Sequence, residues 1–246
     1  MMRPLKPRGT QKLKISREML FPESFTDSMI KRARRAASGD VEAQLEMAEM
    51  YRLGNGVPSN SEEAAVWYRR AFGGGSVEAR YRLGKLLLSR GMDAEMAGEN
   101  TEKAVELLTQ AATAGHRAAM VSLGNLHARG TAVPKDLSMA ARWYEKAACL
   151  GDASSQFVYG MMLRDGKGTG TDPLAAFVWI SRALRNGLPA KSRKAALAAR
   201  KVAQDAMTPE ERLQAQTAAA APDHVPVRAE SANDARTAAS DVGSAA

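Results

Sequence analysis

The stretch RDGKGTGTDP, Arg164 to Pro173, places three glycines, a lysine and two threonines within ten residues. Such residues can cradle phosphate: glycines let backbone N–H groups close on the oxygens, lysine neutralises charge and a hydroxyl holds magnesium. The spacing opposes that chemistry. Five residues, not four, separate Gly160 from Gly166, and Gly168 follows Lys167 where the hydroxyl is needed. The other reactive side chains are equally scattered. His116, His127 and His224 have no cysteine or carboxylate cluster at ligand spacing, which argues against a metal. Cys149 is the single cysteine; it can form no internal disulfide, and no partner base for a nucleophile is implied. Glu62–Glu63 and Glu95 with Glu99 fall at helix starts or in a loop, whereas acid–base work needs opposed, partly buried carboxylates. The expectation is a chain that is not an enzyme, with no metal and no cofactor.

The elements around these residues explain them better. Aromatics make up only 5% of 246 residues and alanine is abundant, which favours closely packed helices. No run is long and apolar enough to cross a membrane, and no apolar segment follows the basic N-terminus, so a cytoplasmic protein is expected. The net charge of +8 is uneven: up to Asp40 there are ten bases against four acids, and the stretch after Ala221 is slightly acidic.

Self-comparison shows a repeat. Trp67-Tyr68, Leu107-Leu108, Trp143-Tyr144 and Trp179-Ile180 occupy matching places. Alanines precede them at 64, 104, 140 and 176 and follow at 71, 111, 147 and 183, and glycines close each copy at 75, 115, 151 and 187. Upstream, Met47-Ala48, Leu83-Gly84, Leu123-Gly124 and Tyr159-Gly160 align, with Tyr51, Leu87, His127 and Leu163 beyond. Agreement at this many positions makes each copy one helix–turn–helix unit. RDGKGTGTDP is then the inner turn of the fourth copy. Gly166 ends one helix, and Asp172-Pro173 starts the next. Asn60 or Ser61, Asn100 or Thr101, and Asp136 are the matching helix starts.

AQLEMAEMYRLGNGVPSNSEEAAVWYRRAFGGGS and AMVSLGNLHARGTAVPKDLSMAARWYEKAACLGD resemble Sel1-like repeats, relatives of the tetratricopeptide repeat. The family pattern is Ala-x-x-x-Leu-Gly-x-x-Tyr, a Gly-x-Gly-Val-Pro turn, Ala-x-x-Trp-Tyr-x-x-Ala-Ala and a closing glycine. The second copy departs through four extra residues in SRGMDAEMAGENTEKA and no Trp-Tyr, the third through Ala132 and His127. The resemblance implies an all-α, α/α solenoid of about four repeats, bacterial by family habit, used as a non-catalytic scaffold, adaptor or regulator for proteins or peptides. The expected organisation is a basic, disordered arm (1–22), an N-terminal capping helix (23–38), the array (39–188, with units 39–76, 77–116, 117–152 and 153–188), C-terminal capping helices (189–220) and a disordered tail (221–246). Terminal caps are required because an end unit would otherwise expose its apolar face.

In helical repeats of this kind the first helix of each pair lines the inner, concave face. Its packing residues are Ala43, Met47, Ala48 and Tyr51 and their equivalents, with Leu45, Tyr81, Val121 and Phe157 as a second apolar column. The positions left over are Glu49, Arg52, Lys85, Asn125, Arg129, Met161 and Arg164, a mildly basic set that predicts an acidic or carboxylate-bearing peptide partner. The rival is nucleic-acid or acidic-surface binding through the basic arm around Lys6 to Arg35; it lacks interleaved aromatics, and nucleic acid is the less favoured partner.

Overall fold

The computed structural model describes residues 26–91 and 97–223, and among these all regular structure is helical. The helices are α1 (Asp27–Ala37), α2 (Val41–Leu53), α3 (Ser61–Gly73), α4 (Val77–Gly91), α5 (Ala97–Thr113), α6 (Arg117–Arg129), α7 (Leu137–Cys149), α8 (Ala153–Asp165), α9 (Pro173–Arg185), α10 (Ala190–Asp205) and α11 (Pro209–Ala220). Each repeat contributes a first helix (α2, α4, α6, α8) and a second (α3, α5, α7, α9).

Local chemistry sets the helix starts. The first helices begin at Asp40, Ser76, His116 and Asp152, whose side chains accept from the backbone N–H three residues on, at 2.7 to 3.2 Å. His116 does this through Nδ1 and stacks on Tyr81 at 4.5 Å. Asn60, Asp136 and Asp172 cap α3, α7 and α9, with Pro173 in the first turn of α9. α5 departs from the sequence expectation: it starts at Ala97, a turn before Asn100 or Thr101. Its predecessors at 92–96, Glu95 included, lie outside the described residues, as do the arm up to residue 25 and the tail from His224.

The inner turns need two left-handed residues. Gly54 and Gly56, then Gly166 and Gly168, supply them at φ between 68° and 76°. In the third copy Gly130 is followed by Ala132 at φ 68°, the single non-glycine with positive φ among the described residues. An alanine there costs about 1 kcal/mol, because its Cβ crowds the next carbonyl.

The chain divides into two compact units, Met1–Ala79 and Arg80–Ala246. In the first, α1 packs on α2 and α2 on α3. In the second, α5 packs on α6, α6 on α7, α7 on α8 and α8 on α9, and α9 carries both α10 and α11. The eight repeated alanines at 64, 71, 104, 111, 140, 147, 176 and 183 are fully buried, so paired helices approach with only a methyl between them. At Gly124 even a methyl is excluded: a Cβ there would lie 2.8 Å from the Tyr144 ring. Each tryptophan of a Trp-Tyr or Trp-Ile pair is covered by the cation three residues on. Arg70, Lys146 and Arg182 lie 4.4, 4.7 and 5.0 Å from the rings of Trp67, Trp143 and Trp179. Two buried glutamines missed at the sequence level, Gln44 and Gln156, stand at equivalent repeat positions. Each donates to the last turn of the preceding helix, at Ala36 O (3.1 Å) and Ala148 O (3.0 Å).

Arginines from α9 hold the C-terminal end. Arg182 is fully buried and donates to the carbonyls of Ala218 and Asp223, each at 3.1 Å. Arg185 donates to the carbonyls of Ala219 and Ala221 and pairs with Asp223 at 2.9 Å. Asn186 binds Asp223 and Gln156. Cations thus meet the negative end of the α11 dipole and its orphan carbonyls together. At the start of α11, Thr208 and Glu211 form a reciprocal capping box.

Candidate partner-binding surface

The seven positions expected on the inner face differ in what surrounds them. In the first unit Glu49 accepts two hydrogen bonds from Arg52, at 2.9 and 2.6 Å, and one from the Tyr68 hydroxyl. Burial, then the Glu49 carboxylate, pushes the Tyr68 pKa well above its usual 10.0, so this phenol stays a donor at ordinary pH. Glu49 and Arg52 therefore satisfy each other. In the fourth copy Arg164 is bound by its neighbour Asp165 at 2.6 Å, and Lys167 reaches the same carboxylate at 3.1 Å. Met161 packs half-buried against the cluster of Ile180, Ala183, Leu188, Ala196 and Ala199.

The remaining three come together. Lys85 on α4 and Asn125 and Arg129 on α6 line one open cleft of about 490 Å³ in the second unit. Leu88 and Leu126 give it apolar wall, and Thr101, Thr131 and Ala132 also line it. All three polar residues are exposed, and neither Lys85 nor Arg129 is ion-paired among the described residues. Asn125 is oriented: the Tyr144 hydroxyl donates to its Oδ1 at 2.9 Å, leaving the Nδ2 donors for the cleft.

The repeat accounts for this difference. The second residue of the Trp-Tyr pair meets the first-helix residue nineteen positions upstream. Tyr68 finds Glu49 and Tyr144 finds Asn125, both acceptors. Where Leu108 and Ile180 replace tyrosine, the equivalent first-helix residues are Lys85, twenty-three positions upstream because of the four-residue insertion, and Met161, and neither carries an oxygen acceptor. That paired change was visible in the sequence. The cleft itself comes from the turns. In the fourth copy Gly168 sits so tightly on Leu137 that a Cβ would lie 2.2 Å from its carbonyl oxygen. The equivalent pair one repeat earlier is Ala132 and Thr101, and these two line the cleft instead.

The residues set aside as chemistry occupy structural places. His116 is a helix cap, and His127 is half-buried, as expected of a tyrosine replacement. Partial desolvation, then Glu145, pushes the Cys149 thiol up, away from thiolate character. Tyr159 donates to Glu145 at 2.9 Å. Among the described residues no group of three His, Cys, Asp or Glu could hold a metal, and no helix is long and apolar enough to cross a membrane. Two of the ten basic residues near the N-terminus, Arg32 and Arg35, are paired with Glu46 and Asp40.

Comparison with known proteins places this geometry. The Sel1 repeat matches the chain four times, at residues 41–76, 77–116, 117–152 and 153–188. The chain belongs to the Sel1 repeat family. Sel1 repeat proteins generally mediate protein–protein interaction on a non-catalytic scaffold. Among solved structures, this Sel1 chain is similar to a protective antigen of uropathogenic Escherichia coli that displays an SLR fold. That match has 29% identity and a TM-score of 0.62, covering 78% of this chain and 39% of the other. It is also similar to a Sel1 repeat protein from Oxalobacter formigenes, with 27% identity and a TM-score of 0.59, covering 70% of this chain and 49% of that one. A curated relative, chitin synthase regulatory factor 3 of Schizosaccharomyces pombe, is 29% identical over 153 residues, which is 61% of this chain and 16% of the relative. The chain thus spans under half the length of each of these proteins.

Proposed function

We propose that this Sel1 array works as a cytoplasmic adaptor or regulator that binds a protein or peptide on the inner helix face, without catalysis. The observation that supports it is the gathering of Lys85, Asn125 and Arg129 on one open cleft, with both cations unpaired among the described residues. A scaffold whose cations were all internally paired would offer a partner little electrostatic complementarity. Glu49, Arg52, Met161 and Arg164 stand at matching repeat positions and flank the reading as contacts of lesser weight, since internal partners already hold them. The regulatory name of the yeast relative agrees with such a role.

Affinity capture from nuclease-treated lysate tests this, using the full chain and a version with Arg52, Lys85, Arg129 and Arg164 changed to alanine. A protein retained by the first and lost from the second is expected. Capture that survives the four changes, or that needs the basic segment before Asp27 instead, contradicts it.

A further inference from the structure

The cleft between α4, α5 and α6 has a one-sided polar inventory. Among the described residues its lining holds two cations, an amide fixed as a donor and four hydroxyls, and no carboxylate. The hydroxyls of Ser89 and Ser122 are turned inward, donating to their own helices at Leu86 O (2.8 Å) and Ala118 O (2.9 Å). The Thr101 and Thr131 hydroxyls can donate or accept, so the groups of the cleft that only donate are those of Lys85, Asn125 Nδ2 and Arg129, and what complements them is a group that accepts and carries negative charge. Two like charges on one cleft also repel, and an anion between them removes that repulsion. The apolar wall of Leu88 and Leu126 adds a second requirement, a hydrocarbon neighbour to the anion.

We propose that this cleft anchors a single Asp or Glu side chain of the partner, with an adjacent apolar side chain seated on Leu88 and Leu126. The inference rests on the partner-binding reading above and makes it specific. The volume of about 490 Å³ suits one acidic and one aliphatic side chain rather than a folded domain. A carboxylate on a peptide fits better than a phosphate, because the donors are three separate side chains beside a hydrocarbon wall, not the nest of backbone N–H groups that cradles phosphate. Only one such anchor exists among the described repeats. The equivalent of Asn125 is the engaged carboxylate of Glu49 in the first copy, and the packed Met161 in the fourth.

The test is selection from a displayed random-peptide library over the full chain, over Lys85→Glu/Arg129→Glu and over Asn125→Asp. Asn125→Asp keeps an oxygen to accept from Tyr144, so it changes the cleft charge without disturbing the helix pair. Helix content and urea midpoint are checked for each. The wild-type chain should enrich peptides with Asp or Glu next to Leu, Ile, Met or Phe. A resynthesised winner should bind Asn125→Asp about tenfold more weakly, and the double reversal weaker still, by loss of paired contacts. The double reversal should enrich Lys or Arg peptides instead. Acidic winners that bind all three proteins equally overturn the anchor while leaving an interaction scaffold standing. Winners with no acidic bias overturn the anchor as well, and failure to enrich any peptide overturns both readings.

Discussion

At the α4–α6 cleft, Lys85 and Arg129 stand exposed and unpaired among the described residues. At the α9–α11 end, Arg182 and Arg185 are bound to the carbonyls of Ala218, Ala219, Ala221 and Asp223. Both regions belong to the second unit and are basic, yet they do opposite work. At the end, cations close the array by satisfying a helix terminus. At the cleft, no carboxylate among the described residues answers them. A basic residue in a repeat is thus a contact candidate only when the fold supplies it with no internal partner.

The largest effect should come from breaking the closed end. Arg182→Ala removes a buried cation from two carbonyls and from the Trp179 ring, and should cost about 3 kcal/mol in urea unfolding, with early hydrogen exchange in α11. A loss below about 1 kcal/mol would mean that alanine packing alone holds that end. Peptide binding at the cleft should survive the change.

Gly124→Val is expected next, at about 2 kcal/mol, because the new side chain must displace the Tyr144 ring. That displacement also frees Asn125, so stability and cleft binding should fall together. Stability lost with binding intact would separate Tyr144 from the cleft.

The tyrosines give a pH test. Burial, then Glu145, raises the Tyr159 pKa above its usual 10.0, and burial and Glu49 do the same for Tyr68. The folded chain holds these protons after the unfolded chain releases them. Their contribution is complete below pH 10.0 and is lost as pH rises further. Tyr159→Phe should flatten that alkaline decline. An unchanged slope would show that the phenol is not held as the structure places it.

The smallest change runs the other way. Ala132→Gly should stabilise the chain by roughly 0.5 to 1 kcal/mol, since relief of the left-handed alanine exceeds the added freedom of the unfolded state. Destabilisation would mean that the methyl packs usefully at the cleft edge.

Much of this was legible in the residues. Four-fold recurrence of alanine and closing glycine around the Trp-Tyr, Leu-Leu and Trp-Ile pairs marked the helix pairs, and Asp136 and Asp172 marked helix starts, because these depend on local chemistry and period. The inner-face set was a list of equals in the sequence. It separates only when neighbours are known: Asp165 takes Arg164, Arg52 takes Glu49, and Met161 turns into an apolar cluster. Arg182 reads as one more surface arginine, since its partners lie 36 and 41 residues on. The early start of α5 was hidden because the insertion in the second copy breaks the period that located the other helices.

The most direct test places a photo-crosslinking residue at Ser122 in the cleft and, in a second protein, at Lys146 on α7, outside it. After irradiation in lysate, a partner should be joined at Ser122, lost when Lys85 and Arg129 are reversed to glutamate, and absent at Lys146. Equal joining at both positions, or a Ser122 product indifferent to the reversal, would contradict it.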